Sequence, residues 1–463
     1  MSANPKGIVR LPQVEQLLQE PVLASYIRQL SRPLVTDVIR EALSAIRRSE
    51  AFRASNLPPE EQKAEIHRTI YRNIQTRCQA LIQQRHNKVI NATGTVVHTN
   101  LGRSPIDPAI WEAVSDVNTG QCNLEIKLSD GKRGQRKGLV DRLLGRLTGA
   151  EDAMVVNNNA SSIYLMLNEL AKGKEVIVSR GEQIQIGGGF RIPDILALSG
   201  AKLVEVGTTN ITTADDYIEA VTENTAMVLM VHCSNFAIRG FTQSPDIRDV
   251  ARRLPDHVVL AVDQGSGLTT ERFAAEETPV ASYLKSGADI VCFSGDKILG
   301  GPQAGIVCGK RQLVKKLEKN PLMRAFRPSR IVYSLLEELL VRKLNKEPEG
   351  QGIAEQSAAH PEAIRSRAEC LASALGDCVR LVGAEMVVGG GTLPDEFFPS
   401  WALEIVTDKP AEKVLADLRG MPLPIIGIIR NNTVQLNMAA ILPHDMNRLE
   451  LQLKDYFTRE PES

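Results

Sequence analysis

The sequence predicts an α/β protein with three parts: a helical N-terminal domain, a large domain built around a mostly parallel sheet, and a small α+β C-terminal domain. Up to about residue 90, apolar residues recur at helical spacing. From there to about residue 330, short β-branched segments alternate with helical patterns, which is typical of βαβ units. The length of 463 residues also fits about three domains of ordinary size.

The N-terminal region combines helical periodicity with positive charge. Helices are predicted over residues 34–46 and 60–84, separated by Leu57-Pro58-Pro59. Residues 1–90 hold eleven Arg and three Lys against eight acidic residues, a net charge of +6 in a chain that is neutral overall. Charge alone favours solvated helix faces, and RNA binding is the alternative. We assign 1–70 to a helical domain and 71–90 to a helical connector.

The boundaries of the other two domains follow from the change of pattern. The large domain is assigned to residues 91–340, which contain the βαβ-like segments. The small domain is assigned to residues 341–463. It contains two helical patterns, the strand candidates WALEIV and VQLNM, and a last helix.

Composition excludes several classes of protein. Lys and Arg total 55, as do Asp and Glu, so the chain is neither a basic nucleic-acid coat nor an acidic disordered tail. The first sixteen residues lack the apolar core of a secretory signal, and no segment approaches the roughly 18 apolar residues of a spanning helix. Seven cysteines without a C-x-x-C pair indicate reduced thiols. We expect a cytoplasmic protein, and the histidine spacing gives no support for a metal site.

Polar residues follow one strand of the predicted sheet and open a helix. The strand AMVV ends before Asn157-Asn158-Asn159-Ala160-Ser161-Ser162, and the helical run IYLMLNELA comes next. Free N–H groups and the dipole at a helix start hold phosphate well. Ordinary capping would need a single Asn or Ser, so six small polar residues favour phosphate binding.

Two later strands end at an acid and a lysine. Asp263 follows VVLAV beside two glycines, which alone would favour a structural turn. Lys297 lies in a glycine-rich loop between the apolar strands DIVCF and GIVCG. Partial burial lowers the pKa of a lysine amine, and the free amine forms Schiff bases.

A phosphate-binding helix start, a strand-end acid and a loop lysine, in this chain order, are typical of a pyridoxal 5'-phosphate site. The acid pairs with the ring nitrogen and keeps the ring an electron sink. This arrangement resembles the aspartate-aminotransferase-like fold (fold type I), whose members usually build each site from two subunits.

Several longer segments resemble bacterial selenocysteine synthase (L-seryl-tRNA(Sec) selenium transferase). They are LPQVEQLL (11–18), INATGTVVHTNLGRSP (90–105), VNNNASS (156–162), VSRGEQIQIGGGFRIPDI (178–195), VGTTN (206–210), SNFAIRGFT (234–242) and FSGDKILGGPQAGI (293–306). The resemblance is strongest between residue 11 and about 330, and the C-terminal third matches more loosely. It implies a transferase that converts L-seryl-tRNA(Sec) to L-selenocysteinyl-tRNA(Sec) with selenophosphate, by β-elimination to aminoacrylyl-tRNA and addition of selenium.

The resemblance also implies roles for individual residues. Lys297 would form the Schiff base and remove the α-proton, and Asp263 would contact the ring nitrogen. The phosphate would be held by Asn158, Asn159, Ala160, Ser161 and Ser294. Selenophosphate would be bound by Arg103, Arg324, Arg327 and Asp296. Family members bind seryl-tRNA(Sec) through a helical N-terminal domain and assemble as a decameric ring of dimers, so we expect both here. Gln264 departs from the apolar residue expected beside Asp263.

Two other functions remain open at this point. The chain could be a pyridoxal-phosphate-dependent lyase acting on a small amino acid or amino-sugar acid without tRNA, although such relatives lack the N-terminal module. It could also be an RNA-binding protein with a vestigial site, which predicts a damaged lysine loop. Lys297, Asp263 and the Asn turn are intact, which argues against the second function.

Overall fold

The computed structural model describes residues 11–49, 58–186, 189–232, 238–269, 277–389 and 392–458. It divides into two compact units, Met1–Lys88 and Val89–Ser463. Three features of the sequence analysis lie at least partly outside the described residues: the predicted helix break at Leu57, the cysteine Cys233, and parts of the motifs at 178–195 and 234–242. No helix in the described ranges is long and apolar enough to cross a membrane.

The described part of the N-terminal unit is helical. Its helices are α1 (Val14–Leu18), α2 (Pro21–Leu30), α3 (Arg32–Arg48) and α4 (Pro59–Gln84). A proline in the first turn of α2, α3 and α4 suits the helix start, where the missing N–H has no partner to lose. The apolar stripes meet in one core, in which Leu23, Ile39 and Ile70 are fully buried. The helices predicted at 34–46 and 60–84 are confirmed, and α4 continues through residue 70 without a break.

The second unit contains the remaining helices and all the strands of the described residues. Its helices are α5 (Pro108–Ala113), α6 (Ser115–Thr119), α7 (Val140–Thr148), α8 (Asn159–Leu170), α9 (Ile192–Ser199), α10 (Ala214–Glu219), α11 (Ile247–Arg253), α12 (Val280–Lys285), α13 (Arg311–Lys319), α14 (Met323–Phe326), α15 (Arg330–Leu344), α16 (Ile353–Ala359), α17 (Pro361–Leu375), α18 (Ala411–Arg419) and α19 (Met446–Thr458).

Its strands form a large and a small sheet with two short pairs beside them. They are β1 (Ile90–Asn91), β2 (Thr95–Val97), β3 (Asp152–Val156), β4 (Glu175–Ser179), β5 (Gln185–Ile186), β6 (Phe190–Arg191), β7 (Lys202–Val206), β8 (Thr225–Val231), β9 (Val259–Gly265), β10 (Ile290–Ser294), β11 (Gly305–Gly309), β12 (Val379–Gly389), β13 (Thr392–Ile405), β14 (Ile425–Ile426), β15 (Ile428–Arg430) and β16 (Thr433–Asn437).

The large sheet has seven strands in the order β3-β11-β10-β9-β8-β4-β7. β11 pairs antiparallel with β3 and β10, and the other pairings are parallel. Strands β3, β8, β10 and β11 are buried along their whole length, as expected for a sheet covered on both faces. The two faces correspond to two separate apolar clusters. The predicted α/β fold with a mostly parallel sheet is therefore confirmed.

The small sheet has the order β15-β16-β13-β12-β2. It packs helices α17, α18 and α19 against one apolar cluster. Residues 91–97, which the sequence analysis assigns to the large domain, instead join the C-terminal part together with Ile90 of the predicted connector: β1 pairs with β14, and β2 pairs with β12. The chain thus enters the second unit through the small sheet, and sequence position alone gave no signal of this long-range pairing.

Candidate active site

The predicted site residues follow three strands whose carboxyl ends share one edge of the large sheet. β3 leads into the Asn turn, β9 carries Asp263, and β10 leads into the loop of Lys297. These strands run in the same direction, because β11, between β3 and β10, is antiparallel to both. In open α/β sheets this edge is where ligands bind.

The Asn turn caps α8 and contacts the acid on β9. Asn158 is the N-cap, and its Oδ1 accepts hydrogen bonds from the backbone N–H of Ser161 at 2.9 Å and the Ser161 hydroxyl at 3.1 Å. Asn159 Nδ2 donates to Asp263 Oδ1 at 2.8 Å. The backbone N–H groups of Asn159 and Ala160 belong to the first helical turn, which has no intrahelical acceptors. The structure thus joins the predicted phosphate-binding start directly to the predicted acid.

Gly305 at the start of β11 permits this turn to pack closely. A Cβ atom at this position would lie 2.2 Å from the carbonyl oxygen of Asn158 and 2.4 Å from Ser162 Oγ. Ser162 Oγ and Asn159 Oδ1 are buried without a hydrogen-bond partner among the described residues. The Ser162 hydroxyl and the N–H groups of the first helical turn can donate hydrogen bonds, so this helix start fits an anionic group such as the phosphate of pyridoxal phosphate.

Asp263 is buried, with 3% of its surface exposed. Burial raises the pKa of its carboxyl group, and the hydrogen bond from Asn159 and the charge of Lys297 oppose that rise. Cys292 Sγ on the neighbouring strand lies 3.7 Å from Asp263 Oδ1. A buried acid held by an amide on one side fits the pairing with a ring nitrogen that the sequence predicts.

Lys297 is partly buried and lies among charged groups. Burial lowers the pKa of its amine, Asp263 opposes this, and Arg103 adds to the lowering. The backbone around it is fixed: the N–H of Ile298 donates to Ser266 O at 3.0 Å, and Gly295 N–H donates to Ala304 O at 2.8 Å. A lowered pKa increases the fraction of free amine, the form that attacks a carbonyl. Ser294, which precedes this loop, is buried at the end of β10.

Arg103 and Asp296 form an ion pair beside Lys297. Arg103 Nη1 lies 3.0 Å from Asp296 Oδ1 and 3.1 Å from Oδ2. The backbone N–H of Ser104 donates to Asp296 O at 3.1 Å. Arg103 has a φ of 65°, in the left-handed region that non-glycine residues rarely adopt. The structure therefore brings two of the four predicted selenophosphate residues to the lysine loop.

Arg324 and Arg327 flank residues that contact the Asn turn: the backbone N–H of Asn157 donates to Phe326 O at 2.9 Å, and Asn157 Nδ2 donates to Ala325 O at 3.1 Å. Arg324 is in α14, Arg327 follows it, and both line a cavity of about 440 Å³ that includes Glu125, Arg133 and Arg136. We call these five residues the basic groove. Arg327 Nη1 lies 3.6 Å from Glu125 Oε1, which Arg136 also binds. Neither Arg324 nor Arg327 forms a hydrogen bond or ion pair with Lys297, Asp296 or Arg103 in the structure as described.

Sequence reasoning missed a set of polar residues behind Asp263. Gln264 is buried; its Nε2 donates to Glu277 Oε1 at 2.9 Å, and its Oε1 accepts from the N–H of Gly267 at 2.8 Å. His232 Nε2 lies 3.2 Å from Glu277 Oε2. Gln264, noted above as unusual, thus holds the turn after β9. His232 follows strand β8, so the rule that ligand-binding residues follow strand ends could have found it; Glu277 carries no such signal.

Comparison with family models gives two matches. A model described as L-seryl-tRNA selenium transferase matches residues 89–442. A second, described as selenocysteine synthase N terminal, matches residues 10–47. The first covers the predicted site, and the second covers most of the described helices of the N-terminal unit.

The chain is also similar to curated proteins and to solved structures. The L-seryl-tRNA(Sec) selenium transferase of Alkaliphilus oremlandii is 39% identical, over 94% of this chain and 95% of its own length. That of Carboxydothermus hydrogenoformans is 38% identical, with the same coverage. The structure of D-glucosaminate-6-phosphate ammonia-lyase superposes with a TM-score of 0.56 over 80% of this chain and 95% of its own, at 20% identity. This last likeness shows a shared fold.

Proposed function

The chain belongs to the L-seryl-tRNA selenium transferase family and converts seryl-tRNA(Sec) to selenocysteinyl-tRNA(Sec), and we propose that it does so with pyridoxal phosphate bound through Lys297. The observation that carries the cofactor proposal is the hydrogen bond between Asn159 and Asp263, because it joins a phosphate-binding helix start to a buried acid at the lysine's edge of the sheet. The residues present fit the cofactor.

Each cofactor-binding residue has a distinct part in this proposal. The first turn of α8, with Asn158, Asn159, Ala160 and Ser161, holds the phosphate through N–H and hydroxyl groups, and Ser294 adds a hydroxyl from the end of β10. Asp263 holds the ring nitrogen as a cation. When bound, pyridoxal phosphate supplies an electron sink for the charge left at the seryl α-carbon.

The protein's own groups then move protons and hold anions. The Lys297 amine, whose pKa burial lowers, takes the α-proton of the seryl group as a free base. Arg103 is oriented by both oxygens of Asp296, which fixes its guanidinium for an incoming selenophosphate. Asp296 also limits the net charge of the site before the anion arrives.

We propose that Arg324 and Arg327 serve the site of a partner subunit in a homo-oligomer. Within one chain they lie in the basic groove and form no polar contact with the lysine loop, whereas the family resemblance assigns them to the selenium donor. An exposed Arg324 and a half-buried Arg327 on one subunit can complete an anion site of another. A ring of dimers with ten subunits, as in the family, is the assembly that we expect.

The N-terminal unit is proposed to bind the tRNA. Among its described residues, four arginines pair with acids, for example Arg68 with Glu65 at 3.1 Å and Arg40 with Asp37 at 3.2 Å. In the described residues, Arg47 and Arg72 have no ion pair and remain available to phosphates. The lyase alternative without tRNA has less support, because the family match extends over residues 10–47.

Two measurements test these proposals. Pyridoxal phosphate added to the purified chain should give an absorbance band at about 420 nm, a property of the cofactor joined to a lysine. The loaded protein should convert seryl-tRNA(Sec) to selenocysteinyl-tRNA(Sec) with selenophosphate, and a variant lacking residues 1–88, the whole N-terminal unit, should keep the band and lose tRNA binding. A protein without the band would overturn the cofactor proposal.

A further inference from the structure

Cys292 on β10 is the cross-strand neighbour of Asp263 on β9. The two residues are partners in the parallel register of the large sheet, and the next pair, Phe293 with Gly265, skips Gln264. Such a β-bulge bends a strand and redirects its side chains, and bulges are common beside active sites. Asp263 and Cys292 therefore form the last regular pair before β9 leaves its register, at the edge of the sheet where the lysine loop lies.

The side chains of this pair lie on the same face of the sheet as α8. Cys292 belongs to the apolar cluster that contains the buried residues of α8, whereas Cys308 on β11 belongs to the cluster on the opposite face. Asn159, the first residue of α8, contacts the Asp263 carboxylate. The Asp263 side chain is thus held between a helix start and a neighbouring strand.

Both side-chain hydrogen bonds of Asp263 go to the same carboxylate oxygen. Asn159 Nδ2 donates to Oδ1 at 2.8 Å, and the Cys292 thiol donates to Oδ1 across 3.7 Å, a distance that suits the larger sulfur atom. Within the described residues, Oδ2 accepts no hydrogen bond, and it is not among the buried polar atoms that lack a partner. Oδ2 is therefore the oxygen that remains open to a ligand.

The Cys292 thiol keeps its proton and can therefore act as a donor. Burial and the charge of Asp263 raise the pKa of this thiol well above its ordinary value. Burial also raises the pKa of the Asp263 carboxyl group, and the hydrogen bond from Asn159, the charge of Lys297 and the hydrogen bond from Cys292 oppose that rise. Because a hydrogen bond to the charged form favours that form, Cys292 supports the ionised carboxylate that can hold a cationic ring nitrogen.

We propose that Cys292 is a positioning residue of the active site: together with Asn159 it holds Oδ1 of Asp263, so that Oδ2 faces the ring nitrogen of the cofactor. This inference rests on the proposed function, because the ring nitrogen belongs to pyridoxal phosphate. The two donors approach Oδ1 from different elements, α8 and β10, and together they restrict a rotation of the carboxylate that either donor alone would permit.

The contact is tested first in the full-length protein without cofactor, by the infrared S–H stretching band of Cys292. The difference between the spectra of the unchanged protein and of Cys292→Ala isolates this band from those of the other cysteines. A hydrogen bond to a carboxylate weakens the S–H bond and lowers its stretching frequency. In Asp263→Ala, with Asp263→Ala/Cys292→Ala as its reference, the band should therefore move to higher frequency. An unmoved band would overturn the inference.

Cofactor affinity is the second measurement, by absorbance titration with pyridoxal phosphate. Cys292→Ala should weaken binding about three- to tenfold, the contribution of one ordinary hydrogen bond. Cys292→Ser returns a hydroxyl donor and should restore most of the affinity. The matched control is Cys308→Ala, which removes an equally buried thiol from the neighbouring strand on the opposite face of the sheet. It should bind the cofactor as the unchanged protein does.

The outcomes separate this inference from the proposal on which it rests. If the unchanged protein takes up no cofactor, the proposed cofactor site is overturned and this inference falls with it. If the unchanged protein binds cofactor and Cys292→Ala binds it as tightly as Cys308→Ala does, the inference alone is overturned. Equal losses in Cys292→Ala and Cys292→Ser would also overturn it, because the sulfur would then only fill space. If Cys292→Ala fails to fold, Cys292→Val, which fills the space without a donor, replaces it in both measurements.

Discussion

The lysine loop and the basic groove both concentrate charge, but they do so in different ways. Around Lys297, the groups are buried or partly buried, and Arg103, Asp296 and Asp263 balance one another. In the basic groove Arg133 is 79% exposed, and Glu125 is shared among Arg133, Arg136 and Arg327. Charges that balance one another within a chain tune pKa values, whereas cations in excess of the acids beside them, as the four arginines beside Glu125 are, bind anions that come from elsewhere.

The largest expected effect is at Lys297, in the group of mutually balanced charges that Arg103, Asp296 and Asp263 form around it; we call this group the balanced cluster. Lys297→Ala should abolish selenocysteinyl-tRNA formation, with a loss on the order of 10⁴-fold or more, because it removes both the cofactor linkage and the base. The absorbance band of the linked cofactor should disappear, as measured on the purified variant. Lys316→Ala, an exposed lysine of α13, is the control and should retain both. A Lys297→Ala variant that keeps the band would place the linkage at another lysine.

Asp263→Asn should have the second largest effect. The amide keeps the shape and the contact with Asn159 but removes the charge that holds the ring nitrogen as a cation. We expect turnover to fall roughly 10²–10³-fold with seryl-tRNA affinity little changed, since the loss concerns stabilisation of developing charge. Steady-state kinetics separate kcat from KM. Asp289→Asn is the control, because the carboxylate of Asp289 contacts Lys310. An equal loss of turnover in this variant would show that the effect of Asp263→Asn is structural.

The residues around Lys297 were more predictable from the sequence than the polar residues behind Asp263. Lys297, Asp263 and the Asn turn were found because each follows a strand, and strand ends in a parallel sheet meet at one edge. The acid that holds His232 was not found, because Glu277 follows no strand and its partner Gln264 is 13 residues earlier in the chain. Contacts that loops create between distant residues leave no periodic signal.

The same distinction applies to the fold. The sequence predicts buried strands such as β8 and β10 directly, because they are apolar segments rich in β-branched residues. The antiparallel direction of β11 and the pairing of β2 with β12 depend on how connections cross the unit, which periodicity does not encode. The sequence likewise could not predict where Arg324 and Arg327 lie relative to Lys297, because a motif that resembles a family's indicates a role and not the subunit whose site the residue serves.

The basic groove is tested by a change in Arg327. Arg327→Gln should lower kcat/KM for selenophosphate roughly ten- to hundredfold, since a charged hydrogen bond to an anion contributes about 1.5–3 kcal/mol. Arg133→Gln, in the same groove and also beside Glu125, is the control and should change it little. Oligomers that contain both Arg327→Gln and Lys297→Ala subunits should regain part of the activity. Absence of recovery would place Arg327 in its own subunit's site and remove the distinction between the two regions.

A steric change tests how closely the phosphate-binding turn is packed. Gly305→Ala places a methyl group 2.2 Å from the carbonyl oxygen of Asn158, so the helix start must move. We expect a loss of about 1–3 kcal/mol in the free energy of unfolding and weaker cofactor binding, measured by denaturation and by absorbance titration. Gly383→Ala on β12 has no neighbour within 4 Å and should leave both unchanged. Unchanged cofactor affinity in Gly305→Ala would exclude the turn from phosphate binding.

The smallest effect is expected in the N-terminal unit, where each exposed arginine makes only one of several contacts with the tRNA. Arg72→Gln on α4 should weaken tRNA binding only a few-fold and lower the slope of log affinity against log salt by about one, because one phosphate contact is lost. Arg68→Gln, one turn earlier on α4, removes an arginine already paired with Glu65 and should change the slope less. Filter binding at several salt concentrations measures both. Equal slopes would mean that ion pairing does not decide which arginines meet RNA, and the contrast between balanced and unbalanced charge would not extend to the N-terminal unit.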